Sequence, residues 1–207
     1  MGKIMIVNGS PRAPRSNSKR YAALLKEALG PGMEYVEYNV TQMQHEKACR
    51  SLQESGCGDL VFVFPLYVDS VPVTLLHFLN CLEGFPIKEN EKPAVHVIVN
   101  CGFQEPGQNR PAVEILRLFC RENGYPFGSV FCIGSGEAIL DTPFVFLVKR
   151  KLKKVAGALL AGKTVEIKTS MPLPKRAFIR ASVSYWRRYG EKYGVSEEKM
   201  DTMEIEG

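Results

Sequence analysis

Five short apolar runs, each followed by a segment with helical spacing, constrain the fold of this chain more tightly than any other feature. The runs occupy residues 3–8, 33–40, 60–64, 93–100 and 127–133. Gly9-Ser10-Pro11 bounds the first. The second alternates, with Tyr35, Glu37 and Asn39 set against Val36, Tyr38 and Val40. The third, Leu60-Val61-Phe62-Val63-Phe64, is continuously apolar and reads as a central strand covered on both faces. Between the runs, apolar residues recur three or four positions apart. They are Tyr21, Leu24, Leu25 and Ala28 in 17–29; Leu75, Leu76, Leu79 and Leu82 in 71–82; Val113, Leu116 and Phe119 or Cys120 in 111–123; and positions 144, 147, 148, 152, 155 and 159 in 144–160. A short polar helix fits 44–54. Gly30-Pro31-Gly32 and Gly56-Cys57-Gly58 stop the first two helices. Strict strand–helix alternation predicts an α/β domain over residues 1–167, a doubly wound five-stranded parallel sheet with helices on both faces. Residues 168–207 read as a C-terminal helical tail, with Pro172, Pro174, a helix near 176–189 and an acidic end.

A hydrophobic fraction of 45% supplies a sizeable core. The net charge is +5. That suits an anionic ligand, but no nucleic-acid-binding motif accompanies it. No apolar run reaches membrane-spanning length, so neither nucleic acid nor a membrane span is expected. Cys49, Cys57, Cys81, Cys101, Cys120 and Cys132 contain no Cys-x-x-Cys pair. Four of them lie in or beside apolar segments, where a thiol packs as a small hydrophobe. The opening residues run straight into a strand, with no secretory apolar core. A disulfide framework is therefore not expected, and a cytoplasmic location is. His45, His77 and His96 are scattered and read as structural. Lys149, Arg150, Lys151, Lys153 and Lys154 read as a solvated helix face. No catalytic side chain and no metal site is expected.

In a doubly wound sheet, ligands bind beyond the carboxyl ends of the strands, where the strand order reverses. The loops after the first, third and fourth runs therefore carry the functional reading, with the fifth a further candidate. The first loop runs from Asn8 to Ser18 and opens a helix. A helix N-terminus presents unpaired N–H groups and partial positive charge, a setting for phosphate. Ser10, Ser16, Asn17 and Ser18 add donors, and Arg12 and Arg15 add charge. A plain cap needs one such residue; this loop has several. It lacks G-x-G-x-x-G and G-x-x-x-x-G-K-[ST], so it suits a static monophosphate better than a dinucleotide or phosphoryl transfer. The second loop, Pro65-Leu66-Tyr67-Val68-Asp69-Ser70-Val71-Pro72, offers an aromatic ring and main-chain N–H groups to a flat heterocycle. It also reads as a plain turn into the next helix, capped by Asp69 or Ser70. The third loop, from Asn100 to Asn109, has glycines that allow close backbone approach, with Asn100, Gln104 and Asn109 as polar contacts; the bland alternative is a surface connection. Cys101 within it reads as a packing residue.

Asn8-Gly9-Ser10-Pro11-Arg12 with Ser16-Asn17-Ser18 resembles the phosphate loop of the NADPH-dependent FMN reductase family of the flavodoxin-like superfamily. Pro65 to Pro72, followed by Leu75, resembles that family's second flavin loop. Asn100-Cys101-Gly102-Phe103 falls where its third flavin loop falls. The resemblance covers roughly residues 1–165. It implies the flavodoxin-like strand order 2-1-3-4-5 and a non-covalent FMN. It also implies NADPH or NADH as electron donor, a flavin, quinone or similar small-molecule electron acceptor, and a homodimer or higher homo-oligomer. Carried over by position, Ser10, Arg12, Ser16, Asn17 and Ser18 would hold the phosphate. Pro65, Leu66, Tyr67 and Val68 would flank the ring, and Asn100, Cys101 and Gly102 its other edge. Iron–sulfur members of the superfamily carry a tight cysteine cluster after the second strand. Only Cys49 and Cys57 lie there, so no cluster is expected. A flavodoxin-type electron carrier and a non-enzymatic FMN-binding module are the alternatives. Flavodoxin carriers are usually acidic, which counts against the first. The tail, through Tyr185-Trp186-Arg187-Arg188 and Lys192-Tyr193-Gly194-Val195, also resembles that of flavodoxin-family oxidoreductases; Trp186 reads equally as a cap over a partner's flavin or as an anchor to its own domain.

Overall fold

The computed structural model of the chain describes residues 2–13, 15–200 and 202. Its strands are β1 (Lys3–Asn8), β2 (Glu34–Asn39), β3 (Asp59–Pro65), β4 (Ala94–Asn100), β5 (Phe127–Ile133) and β6 (Glu166–Thr169). They form one sheet in the order β2-β1-β3-β4-β5-β6, with every neighbouring pair parallel. The helices α1 (Asn17–Leu29), α2 (His45–Glu54), α3 (Val73–Glu83), α4 (Arg110–Glu122) and α5 (Val145–Leu160) make the crossovers. The expected order of the first five strands holds, and the strand count is corrected from five to six. β6 pairs with β5 from Val130↔Glu166 to Ile133↔Thr169. It is four residues long, and only Thr169 in it is buried. A short edge strand of that kind leaves little apolar signal.

The chain divides into two compact units, one ending at Met171 and the other starting at Pro172. β6 keeps residues 168 and 169 with the sheet. The second unit contains α6 (Lys175–Lys192) and the short α7 (Glu197–Met200). The acidic end expected from residue 203 onward lies outside the described residues.

β3 shows why a central strand is apolar throughout. Leu60, Phe62 and Phe64 join Met5, Val7, Val97 and Val99 in one core layer, against Leu52, Leu75, Phe78 and Leu116 from α2, α3 and α4. Val61 and Val63 are equally buried on the opposite face. There α1 and α5 pack on each other and on the sheet, through the buried Tyr21, Leu25, Val148 and Leu152. Both faces are covered, so no alternation survives.

His96 is built into the strand ladder. Between Val95 and Val97 the β4–β5 register slips, so that Gly128 and Ser129 lie opposite His96 alone. This is a β-bulge. The His96 Nδ1 accepts the Ser129 N–H at 2.8 Å, so Nε2 carries the ring proton and donates it to Asp59 Oδ1 at 2.9 Å. A Cβ on Gly128 would stand 2.4 Å from His96 Cε1, so only glycine fits against the ring.

Candidate functional site

All strands are parallel, so the loops after β1, β3, β4 and β5 lie along one edge. β1 sits between β2 and β3, and the chain crosses to one side and then the other from it. The switch point is therefore the β1/β3 edge, where crevices of this fold class form. Gly9 crosses it, donating its N–H to Val63 O at 2.9 Å.

Asn8 organises the first loop, a residue whose role sequence reasoning missed. Its Oδ1 accepts the Ser10 N–H at 3.1 Å, and its Nδ2 reaches Asn39 Oδ1 at 3.1 Å and Ser16 Oγ at 3.4 Å. Ser10 is buried, and its Oγ accepts the Arg12 N–H at 3.2 Å. Ser16 is the N-cap of α1, with Oγ accepting the Lys19 N–H at 3.2 Å. Both hydroxyl oxygens thus serve as acceptors, leaving each O–H to donate outward. The first N–H groups of α1 have no intrahelical acceptor. Acidic side chains normally favour a helix start, yet the first turn of α1 has none. Exposed Arg12, Arg15 and Lys19 crowd there instead. A bound anion would offset that concentration of positive charge and N–H dipoles. Pro14 lies outside the described residues.

Two of the expected phosphate contacts are placed differently from the rest. Asn17 donates both Nδ2 hydrogens to carbonyls after β5, Gly136 O at 3.3 Å and Glu137 O at 3.0 Å. Its Oδ1 accepts from Arg20 at 3.1 Å. Its side chain is a tether, and its main-chain N–H is what it contributes to the helix start. Ser18 is buried, with Oγ near Asn100 Nδ2 at 3.5 Å. The same seam holds Tyr21, whose Oη donates to Gly136 O at 2.9 Å, and a two-pronged ion pair of Arg20 with Asp141 at 2.6 and 2.9 Å. The Arg20 guanidinium holds the Asp141 carboxyl below its ordinary value, and burial pushes the Tyr21 phenol far above its own. Gly136 must be glycine, because a Cβ there would come within 2.7 Å of Asn100 Cβ. The dense Gly134-Ser135-Gly136 sequence after β5 was the available signal for this seam.

The loop after β3 is a two-residue hairpin turn. Leu66 is buried and donates its N–H to Asn100 O at 2.7 Å. Tyr67 and Ser70 then exchange both main-chain hydrogen bonds, at 3.1 and 2.9 Å. Val68 and Asp69 between them have φ of 49° and 54°. Two left-handed residues define a type I′ turn, which ordinarily takes Asn and Gly. A β-branched residue in this region is a strained choice. Val68 is 99% exposed and Tyr67 39%. Pro65, half-buried, ends β3.

In the loop after β4, Asn100 is buried and donates to Phe64 O at 3.1 Å, locking two strand ends together. Cys101 is buried, its N–H bonded to Ile133 O and its carbonyl accepting from Gly136 N. Burial pushes its thiol up to about 11, so it stays protonated at neutral pH and packs rather than reacts. Gly102 has nothing within 4 Å of the place a Cβ would occupy. Its φ is not in the left-handed region, so neither conformation nor crowding explains the missing side chain. What it leaves is space, and Phe103 beside it is 55% exposed. The edge therefore presents a cation-rich helix start on the β1 side, and two apolar loop tips with an open backbone approach on the β3 and β4 side.

No protein-family model matches the chain, and no curated protein does. Solved structures match it along most of their length. An NAD(P)H:quinone oxidoreductase from Methanothermobacter marburgensis is 14% identical, with a TM-score of 0.58 over 76% of this chain and 95% of its own. An FMN-dependent NADH-azoreductase from Bacillus anthracis, solved in complex with FMN, is 12% identical, with a TM-score of 0.57 over 77% of this chain and 99% of its own. A flavodoxin from Streptococcus pneumonia is 14% identical, with a TM-score of 0.56 over 78% and 99%. At these identities the likeness establishes the fold, which is flavodoxin-like, extended by β6.

Proposed function

We propose that this chain is an FMN-dependent oxidoreductase that takes electrons from NADH or NADPH and passes them to a quinone, flavin or similar small acceptor. The carrying observation is the pairing, at one switch point, of a cation-rich helix start with an open, apolar pair of loop tips. A phosphate monoester joined to a flat ring system needs both. The residues fit the group. The α1 start has no acid in its first turn, the Ser10 and Ser16 hydroxyls have a proton to donate, and Gly102 leaves room. The likeness to flavin-dependent reductases supports the same reading.

When bound, FMN supplies the reversible two-electron chemistry that links nicotinamide to acceptor. The protein's part is to bind and orient. Ser10, Ser16, Arg12 and the N–H groups of Asn17 and Ser18 would hold the phosphate as charge-assisted hydrogen-bond donors. The Tyr67-Val68 tip would flank the ring, and Gly102 would let the main chain approach its other edge. Exposed Tyr67, Val68 and Phe103 would exclude water from the ring when it is bound against them. No side chain here is placed to act as nucleophile.

The test is optical. The purified chain, with FMN added, is expected to show the bands of protein-bound oxidised flavin and to bleach anaerobically with NADH or NADPH. A chain that leaves added FMN free in solution removes the proposal. The likeness to a flavodoxin favours a carrier as the second reading. Bound flavin that ignores NAD(P)H but is reduced by a partner reductase selects it, although the +5 charge is opposite to the usual acidity of such carriers.

A further inference from the structure

The six cysteines are all free thiols, and five of them are buried. Cys81, half-buried in the last turn of α3, is the exception. Cys49 lies in the middle of α2 and is fully buried. α2 and α3 pack on one another. Across their contact the Cys49 thiol donates to the Cys81 sulfur, with the two Sγ atoms 3.9 Å apart. Cys49 belongs to the same apolar core as Leu52 and Phe78, and Cys81 packs at its rim. A disulfide needs its sulfurs at about 2.05 Å, so rotation of two side chains on helices already in contact has a gap of about 2 Å to close. Burial pushes the thiols of Cys49, Cys57, Cys101, Cys120 and Cys132 above their ordinary value. They stay protonated at neutral pH and lie out of reach of an oxidant in solution. Cys81 is the thiol open to attack, and a second thiol already stands beside it. An accessible thiol next to a resolving one is the arrangement of a redox-responsive site.

We propose that Cys49 and Cys81 form a reversible oxidation site, at which hydrogen peroxide links α2 to α3 by a disulfide. Cys81 gives up its proton and attacks one oxygen of the peroxide. The S–O bond forms, the O–O bond breaks, and the departing hydroxide takes up that proton as water. The Cys49 sulfur then attacks the Cys81 sulfur. The S–S bond forms, the S–O bond breaks, and hydroxide leaves with the Cys49 proton as a second water. Two electrons have passed from the sulfurs to the peroxide. A dithiol reverses the link by exchange at Cys81, the accessible sulfur. The bond closes the chain from residue 49 to residue 81, a loop that contains β3 and the turn after it. Fewer conformations remain to the unfolded chain, so the oxidised form is the more stable one.

The full-length protein, reduced and then freed of reductant, is treated with a small excess of hydrogen peroxide. Thiol titration after denaturation is expected to show two of the six cysteines lost. The melting temperature is expected to rise by at least about 5 °C, and dithiothreitol to restore both values. Cys57→Ala is expected to lose two thiols as the native chain does. Its non-reduced tryptic digest then joins residues 48–50 to residues 51–88, a link that only Cys49 and Cys81 can make. Cys81→Ser, at the half-buried position, is expected to keep its five thiols; its melting temperature under reducing conditions establishes that it folds. Cys49→Ala is expected to stop at the Cys81 sulfenic acid, which dimedone traps as a gain in mass. Six thiols that survive peroxide overturn the proposal. So does a loss of two thiols in Cys81→Ser, and so does a link between two chains in place of one within the chain.

Discussion

Arg12 and Asp141 show how residues of similar exposure divide between ligand and fold. Arg12 stands at the cation-rich start of α1. Its replacement by alanine is expected to weaken FMN binding by about 1.5–3 kcal/mol, the range for a hydrogen bond to a charged group. Riboflavin, which lacks the phosphate, is expected to bind both proteins alike. Fluorescence titration with the two flavins measures the difference, and an equal loss for both would place Arg12 away from the phosphate. Asp141 has a structural task. Paired with Arg20, its carboxyl titrates below the ordinary range. A depressed carboxylate contributes stability above its unfolded-state value, and the contribution is lost as pH falls through the folded-state value. Asp141→Asn is thus expected to lower the urea midpoint at neutral pH, with the gap to the native protein closing below about pH 4. A gap that stays constant with pH would show that the pair contributes nothing. Because both partners are well exposed, the effect is small.

The turn after β3 is the element under most strain. An L-residue held left-handed costs up to about 1–2 kcal/mol, less for Asp than for a β-branched residue, and here Val68 and Asp69 adopt that conformation in succession. Asp69→Gly, with the residue a type I′ turn prefers at that position, is expected to stabilise the protein by about 1 kcal/mol; chemical denaturation reads it, and a loss of stability would contradict the strain. This turn also marks where sequence reasoning stops. The loop was legible as a ligand edge or a plain turn, but the consecutive left-handed pair was not, because β-branched Val68 is a residue that disfavours that conformation. The five long strands and their helices were legible, since burial on two faces writes continuous apolar runs such as Leu60 to Phe64. β6 was not, since Glu-Ile-Lys-Thr at an edge has almost no burial to record. In the first loop the residue types marked a helix start rich in donors and cations. The division of labour did not follow from them: Asn17 is spent on Gly136 and Glu137, more than a hundred residues away in sequence, and local pattern cannot register such a partner.

For the whole molecule, ligand and stability are linked. A flavin that binds the folded sheet and not the unfolded chain adds about 2.7 kcal/mol at a free concentration a hundredfold above Kd. A clear rise in melting temperature with FMN is therefore expected, and a melting curve indifferent to FMN would contradict binding at a folded site. The seam joining Asn17, Arg20 and Tyr21 to the stretch after β5 fixes the start of α1 against the sheet edge. A receptor so braced would be set before its guest arrives. Entry of a nucleotide there would freeze the guest's own torsions and little of the host's, so association would run near the encounter rate and the lifetime of the complex, more than its formation, would carry any change in affinity.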